Sequence, residues 1–272
     1  YQAIRDYYAK WYRPDLQGIV IVGDINAEEM EAKLKKVFED VKAPVNPAER
    51  IYYPVSDNQE PLIYIGTDKE VKNPSVNIFF KHEATPDSLK NTISYYASQY
   101  MLSMAMTMLN NRLNELRQTA NPPFTNASAG YGEFFLAKTK EAFSLDARSK
   151  VDGIDLAMKT VLEEAERARR FGFTATEYER ARANYMQGVE SAYNEREKTK
   201  SGSYVNEYVN NFLDKEPIPG IEFEYMLTKQ MASNIPVEAI NKMMQQLITD
   251  NNQVVLLAGP EKEGVKYPTK DE

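Results

Sequence analysis

Apolar residues along this chain follow two rhythms, one helical and one alternating, and their succession orders the elements. Ile4, Tyr7, Tyr8 and Trp11 share one helical stripe, and Arg13-Pro14-Asp15 makes a turn after it. Ile19, Val20, Ile21 and Val22 then form an apolar run closed by Gly23, which predicts a strand buried on both faces. Asn26 is placed to cap a helix whose apolar face is Met30, Leu34, Val37 and Phe38. Pro44, Pro47, Pro54 and Pro61 make residues 43–61 an extended connection, because proline blocks helix and central strand alike. Strands are expected at 62–66 and 76–80. Thr85-Pro86-Asp87 opens a long helix with Thr85 as its cap and Leu89, Ile93, Tyr96, Tyr100, Met104, Met108 and Leu116 on its stripe. At ~1.5 Å per residue that helix is about 45 Å long. Beyond Asn121-Pro122-Pro123, residues 124–134 and 138–147 alternate as strands do. A helix from Val151 to about Gly172 follows, then one opened by a Thr174/Glu177 capping box. Helices over 200–213, 222–231 and 237–247 precede a last strand over 254–259.

The opening pattern returns at the far end of the chain. Ala3, Ile4, Gln17 and Gly23 recur as Ala239, Ile240, Gln253 and Gly259 at one constant spacing, with Asp15 opposite Asn251. In the second copy Ile240, Met243, Met244 and Leu247 carry the stripe, and Val254 to Ala258 carry the apolar run. Copies separated by a domain's length predict tandem domains of one fold, the first represented by its closing helix and strand. Residues 1–48 are thus expected to be a strand-helix remnant of a preceding domain, 49–61 a linker and 62–272 a domain of its own. A strand at 19–22 without its sheet would seek an edge, so two copies could form a homodimer through 1–48. From residue 62 the order β-β-α-β-β-α-α-α-α-β, with long helices collected together, predicts an α+β fold and not a doubly wound sheet.

Composition narrows the function classes. At 272 residues, 42% hydrophobic and 27% charged, the chain has the make-up of a soluble globular protein. No apolar run approaches the ~18–20 residues of a membrane span. A net charge of −7, with basic and acidic residues intermixed, argues against a nucleic-acid partner. No cysteine is present, which removes disulfides, thiolate metal sites and cysteine nucleophiles. Glycines are dispersed and build no phosphate-cradling loop.

The stretch from Tyr12-Arg13-Pro14-Asp15 through Gly23-Asp24-Ile25-Asn26 resembles a run of the insulinase/pitrilysin-type zinc metallopeptidases, in which Y-x-P-x-N-x-x-L-V-V-V-G-D closes the first domain of a two-domain half. Asp15 and Gln17 depart mildly from the Asn of that pattern. Gly172-Phe173-Thr174-Ala175-Thr176-Glu177-Tyr178 is similar to the family's G-x-T-x-x-E helix start. Asn111-Arg112-Leu113-Asn114-Glu115-Leu116-Arg117 is similar to its S-R-L-x-x-x-L-R. The resemblance implies an antiparallel-rich sheet with long helices packed on one face, as in mitochondrial processing peptidase-like domains. It also implies a substrate-contacting Arg, here Arg117, and seven residues later a Tyr, where this chain has Phe124. Phe lacks the hydroxyl donor, so the pair is broken; a structural role for Arg117 at the helix end stays open.

The family's chemistry needs an H-x-x-E-H helix, two His on zinc and a Glu activating water. This chain has one histidine, His82, which reads as structural or solvated. The resemblance implies zinc in a longer parent protein and no cofactor, metal ligand or catalytic residue in this segment. The expected function is a non-catalytic domain of a zinc metalloendopeptidase. It would form part of the peptide-holding chamber and pack against a zinc-bearing domain or subunit, with unfolded peptide as a partner. The alternative is a purely structural or interaction domain. By resemblance the bacterial periplasm or cell envelope is favoured as the compartment.

Overall fold

The computed structural model describes residues 1–135 and 137–272. In chain order the elements are α1 (Gln2–Trp11), α2 (Ala27–Val37), β1 (Leu62–Asp68), β2 (Ser75–Glu83), α3 (Asp87–Lys90), α4 (Ile93–Arg117), β3 (Asn126–Phe134), β4 (Ala137–Arg148), α5 (Ile154–Phe171), α6 (Ala175–Asn194), α7 (Ser201–Asp214), α8 (Ile221–Asn234), α9 (Val237–Leu247) and β5 (Gln253–Pro260). They gather into two compact units, one of Tyr1–Ile51 with Asn194–Ile221, the other of Tyr52–Tyr193 with Glu222–Glu272. Among the described residues, no helix is long and apolar enough to cross a membrane.

The larger unit is built on a sheet of order β1-β5-β2-β4-β3. β5 runs parallel to β1, and the other pairings are antiparallel, as the α+β reading requires. Side-chain alternation then decides the two faces. Val76, Ile78 and Phe80 of β2, Phe143 and Leu145 of β4 and Ala127 and Ala129 of β3 are buried in one core with Met104, Met108, Leu109, Val161 and Ile240 from the helices. The intervening residues Ser75, Asn77, Ser128, Ser144 and Asp146 lie on the other face and are only half-buried. The helices are therefore collected on one side. On the β3 edge, Asn110 of α4 takes the place of a neighbouring strand. Its amide donates to the Ala129 carbonyl (2.9 Å), and its oxygen accepts the Ala129 N–H (2.8 Å).

Two expectations need correction. The long helix does not start at Pro86, which leads only the single turn of α3. Thr92 is extended (φ −126°, ψ 151°), and its hydroxyl accepts the Tyr95 N–H (3.2 Å) and donates to the Leu89 carbonyl (2.7 Å). A hydroxyl that bonds the backbone on both sides breaks the stripe and caps a new helix. Helix α4 is thus about 37 Å long, and its methionines fill the core, with Met104 and Met108 buried and Met101 and Met106 packed against them.

The second correction concerns residues 19–22, which form no strand and pair with none of β1 to β5. Their counterparts in the repeat lie in β5, bonded on both sides between β1 and β2. An apolar run becomes a strand only where a neighbour meets its N–H and C=O groups. The helices tell the same story. Ile240 and Met244 of α9 are 0% exposed, whereas the matching Ile4 and Tyr8 of α1 are 69% and 61% exposed. In the smaller unit Arg13 is buried, paired with Asp15 (3.3 Å) and donating to the Ala48 carbonyl. Gly18 lets the Phe212 ring approach, since a Cβ there would sit 3.0 Å from it.

Three helices of the larger unit meet at one arginine. Helix α5 ends at Gly172 (φ +71°), where a Cβ would lie 2.5 Å from the Asn241 side chain, so a residue without one is required. The Thr174/Glu177 box closes as expected, with Glu177 N–H on Thr174 Oγ1 (3.2 Å) and Thr174 N–H on Glu177 Oε2 (2.8 Å). Arg112 of α4 donates to both Glu177 oxygens (2.6 and 2.9 Å) and to the Gly172 carbonyl (2.9 Å), and it lies over the Phe173 ring. Burial alone would raise the Glu177 carboxyl, but the hydrogen bonds from Arg112 and Thr174 and the Arg112 charge outweigh it and hold the pKa at about 2.

Because the folded carboxyl titrates below an unfolded one at ~4.3, the stability this pair supplies is present above that value. It is lost as pH falls toward about 2. Glu177→Gln is expected to destabilise by about 1.5–3 kcal/mol at neutral pH and to flatten the acid dependence. Urea unfolding of both proteins at neutral and acidic pH measures this. Parallel acid profiles for the two would contradict the assignment.

Candidate functional site

The face of the sheet turned away from the larger unit's helices receives side chains from every strand. β1 and β5 contribute Leu62, Tyr64, Val254 and Leu256 in register. β2 and β4 contribute Asn77 opposite Asp146 and Ser75 opposite Arg148, and β3 places Ser128 and Asn126 beside them. The last six line a depression of about 380 Å³. Their side chains are short or polar, and the Asn77 amide donates to the Asp146 carboxylate, which orients both. Phe79 and Phe134 stack edge to face (5.5 Å between centroids) on the same side of the sheet. With Ala142, Val254, Val55 and Leu256 they form a small second apolar cluster.

A strap over residues 52–58 crosses this apolar end. Val55 N–H bonds Thr139 Oγ1 (3.2 Å), and Asn58 and Asn252 exchange bonds through Asn58 N–H to the Asn252 side chain (2.9 Å) and Asn252 N–H to the Asn58 carbonyl (2.8 Å). Beneath the strap lie two buried lysines. Lys81 donates to the Ser56 carbonyl, and burial pulls its pKa down against the raising effect of Asp57. Lys140 bonds Asp57 (2.8 Å) and Glu83; burial pulls it down as well, but these carboxylates outweigh that and leave it above its ordinary range. An ordered strap and a face of mixed amides, hydroxyls and rings provide hydrogen-bonding and apolar contacts side by side. That combination suits an extended polypeptide.

Zinc chemistry finds no ligand set here. The single histidine, His82, lies on the helix side of the sheet and donates through Nε2 to the Leu247 carbonyl (3.0 Å). Among the described residues no group of three His, Cys, Asp or Glu side chains could hold a metal ion. The described residues do not fit a catalytic zinc ion.

The structure places Arg117 in the last turn of α4, exposed and without a hydrogen bond or ion pair to the described residues. It places Phe124 in the core, 2% exposed. The two are not brought together on one surface. Ser75, Asn77, Asp146 and Arg148 were not singled out by sequence reasoning. Their signal was the polar half of two alternating segments, which becomes a site only once strand order puts β2 beside β4.

The family model described as the peptidase M16 inactive domain matches residues 1–185. A zinc protease PQQL-like protein of Arabidopsis thaliana is 27% identical over 253 residues, covering 93% of this chain and 23% of that protein. The probable zinc protease PqqL of Escherichia coli K12 is 22% identical over 246 residues, covering 90% of this chain and 26% of its own length. The chain thus spans about a quarter of these curated relatives. The crystal structure of the periplasmic protease PqqL from Escherichia coli superposes with a TM-score of 0.77 at 19% identity, over 94% of this chain and 28% of that one. A structure of its first half covers 95% of this chain and 54% of that one. At this identity the likeness concerns the fold.

Phe124→Tyr tests whether position 124 is core or surface. A hydroxyl forced into the core without a partner is expected to destabilise the protein by about 1–3 kcal/mol. Thermal melts of the two proteins read this directly, and an unchanged midpoint would mean that the ring edge reaches water.

Proposed function

This chain belongs to the peptidase M16 inactive-domain family, and we propose that it forms one wall of the peptide-holding chamber of a longer zinc metalloendopeptidase. It is a non-catalytic domain, and the finer reading rests on one observation: the polar and aromatic make-up of the sheet face opposite the larger unit's own helices. That face sets the amides and hydroxyls of Ser75, Asn77, Asn126 and Ser128 beside the Phe79/Phe134 cluster. Its role is to hold substrate, while a zinc-bearing domain or subunit supplies the metal, the activated water and the bond cleavage.

Residues 1–48 are read as the closing remnant of a preceding domain of the same fold, with the helix and apolar run of 1–24 repeating α9 and β5. The repeat supports this, because the matching helix and strand, α9 and β5, bury in this domain the positions that α1 leaves exposed. In the complete protein residues 19–22 would enter a sheet between a parallel and an antiparallel neighbour, as β5 does. A second copy of the chain is the competing partner for the same apolar surface. The periplasmic protease among the fold relatives supports a periplasmic or envelope location. The second reading, a scaffold without substrate contact, is favoured by the burial of Phe124.

Peptide turnover by the longer protein separates the two readings. If the open face holds substrate, Ser128→Trp is expected to raise KM about tenfold by filling the depression, whereas Arg117→Ala, at the end of α4 on the helix side of the sheet, is expected to leave turnover unchanged. Unchanged kinetics in Ser128→Trp would assign the domain to scaffolding.

A further inference from the structure

On the opposite, helix side of the sheet, the start of α4, the end of α9 and residues of β2, β3 and β4 line an open cavity of about 330 Å³. This volume lies within the range of small-ligand sites, roughly 300–1,000 Å³. Its lining includes hydroxyls and amides from Thr85, Ser98 and Gln246, and aliphatic surface from Leu102, Met243 and Leu247. Glu141 is the one formally charged side chain among the lining residues. It is half-buried, and its partners are neutral donors: the Tyr131 hydroxyl on Oε2 (3.0 Å) and the Thr85 N–H on Oε1 (3.3 Å). It makes no ion pair with the described residues.

His82 faces Glu141 across the β2–β4 ladder. A carbonyl only accepts, so the bond to Leu247 puts a proton on Nε2 and leaves Nδ1, in the neutral ring, as a lone-pair acceptor. Nδ1 has no partner among the described residues. Burial first, and then the Glu141 carboxylate, push the Tyr131 phenol above its usual range and keep it a donor. A carboxylate has about four acceptor positions, and two donors leave it partly unsatisfied.

The cavity therefore pairs an uncompensated anion and spare acceptors with an aliphatic wall. An ammonium group is three donors and no acceptor on a compact charge, and a short alkyl stem matches the wall. We propose that this cavity binds a primary alkylammonium group, the chemistry shared by a lysine side chain and a free alkylamine, with Glu141 as its counter-ion. The site does not depend on the chamber reading, because it lies on the other face of the sheet.

The test uses the only histidine of the chain as its reporter, since one imidazole gives one assigned set of NMR signals. The protein is titrated at constant ionic strength with N-acetyl-lysine methylamide, with n-butylammonium chloride and, as the neutral analogue that lacks the ammonium group, with N-acetyl-norleucine methylamide. Saturable shifts of the His82 ring are expected with the amines and not with the norleucine compound. Tighter binding of the lysine compound assigns the occupant to a polypeptide, and tighter binding of butylammonium to a free amine. Glu141→Gln is expected to weaken binding by about tenfold or more, with its amide spectrum confirming the fold. Ser98→Met, which fills the cavity from α4 and leaves the carboxylate in place, is expected to abolish it. Absence of saturable shifts with either amine, equal binding of the norleucine compound, or wild-type affinity in Glu141→Gln would overturn the proposal.

Discussion

The position of β5 constrains everything else in the larger unit. It is the last strand made, yet it lies inside the sheet, parallel to β1 on one side and antiparallel to β2 on the other. Without it β1 has no neighbour, and β2 loses the partners of Val76 and Ile78, which are Leu257 and Val255. The preceding helix α9 arrives with it and buries Ile240 and Met244 in the core. Closure of this domain is therefore a long-range event that joins the two ends of its sequence. Such non-local pairing carries a loop-closure cost before it stabilises anything.

Two charged clusters fix what β5 completes. On the helix side, Arg112 ties α4 to the end of α5 and the start of α6 through a pair whose carboxylate stays ionised well into acid. On the other side, Lys81 and Lys140 hold the strap over one end of the sheet, and the strap's Asn58 bonds Asn252 at the entrance to β5. Removing one member of a buried pair strands the other, so each cluster is intolerant of single changes. The open face between strap and depression keeps its shape because strands, strap and helices are each anchored at more than one point.

Much of this was legible in the alternation of apolar residues. The β-β-α-β-β-α order, the capping box at Thr174 and Glu177 and the bounds of α9 follow from local pattern, because each is decided within a turn or two of chain. What was not legible depends on partners distant in sequence. The run at 19–22 reads like β5 and is no strand, since a strand is defined by its neighbours. Thr92 interrupts a long helix because its hydroxyl finds backbone on both sides, a choice that a stripe of apolar residues does not reveal. The polar face of Ser75, Asn77 and Asp146 needed the strand order. Arg117 and Phe124 came from a motif, and a motif does not say which side chain ends in the core.

On the reading proposed above, residues 1–48 close a preceding domain of the same fold, and their first helix and the run at 19–22 correspond to α9 and β5. Amide hydrogen exchange at residues 19–22 tests it most directly, measured in this chain when dilute and in a longer polypeptide that carries the preceding domain. Rapid exchange is expected in the chain alone, and in the longer polypeptide protection comparable to that of residues 255–258. Rapid exchange in both would contradict it.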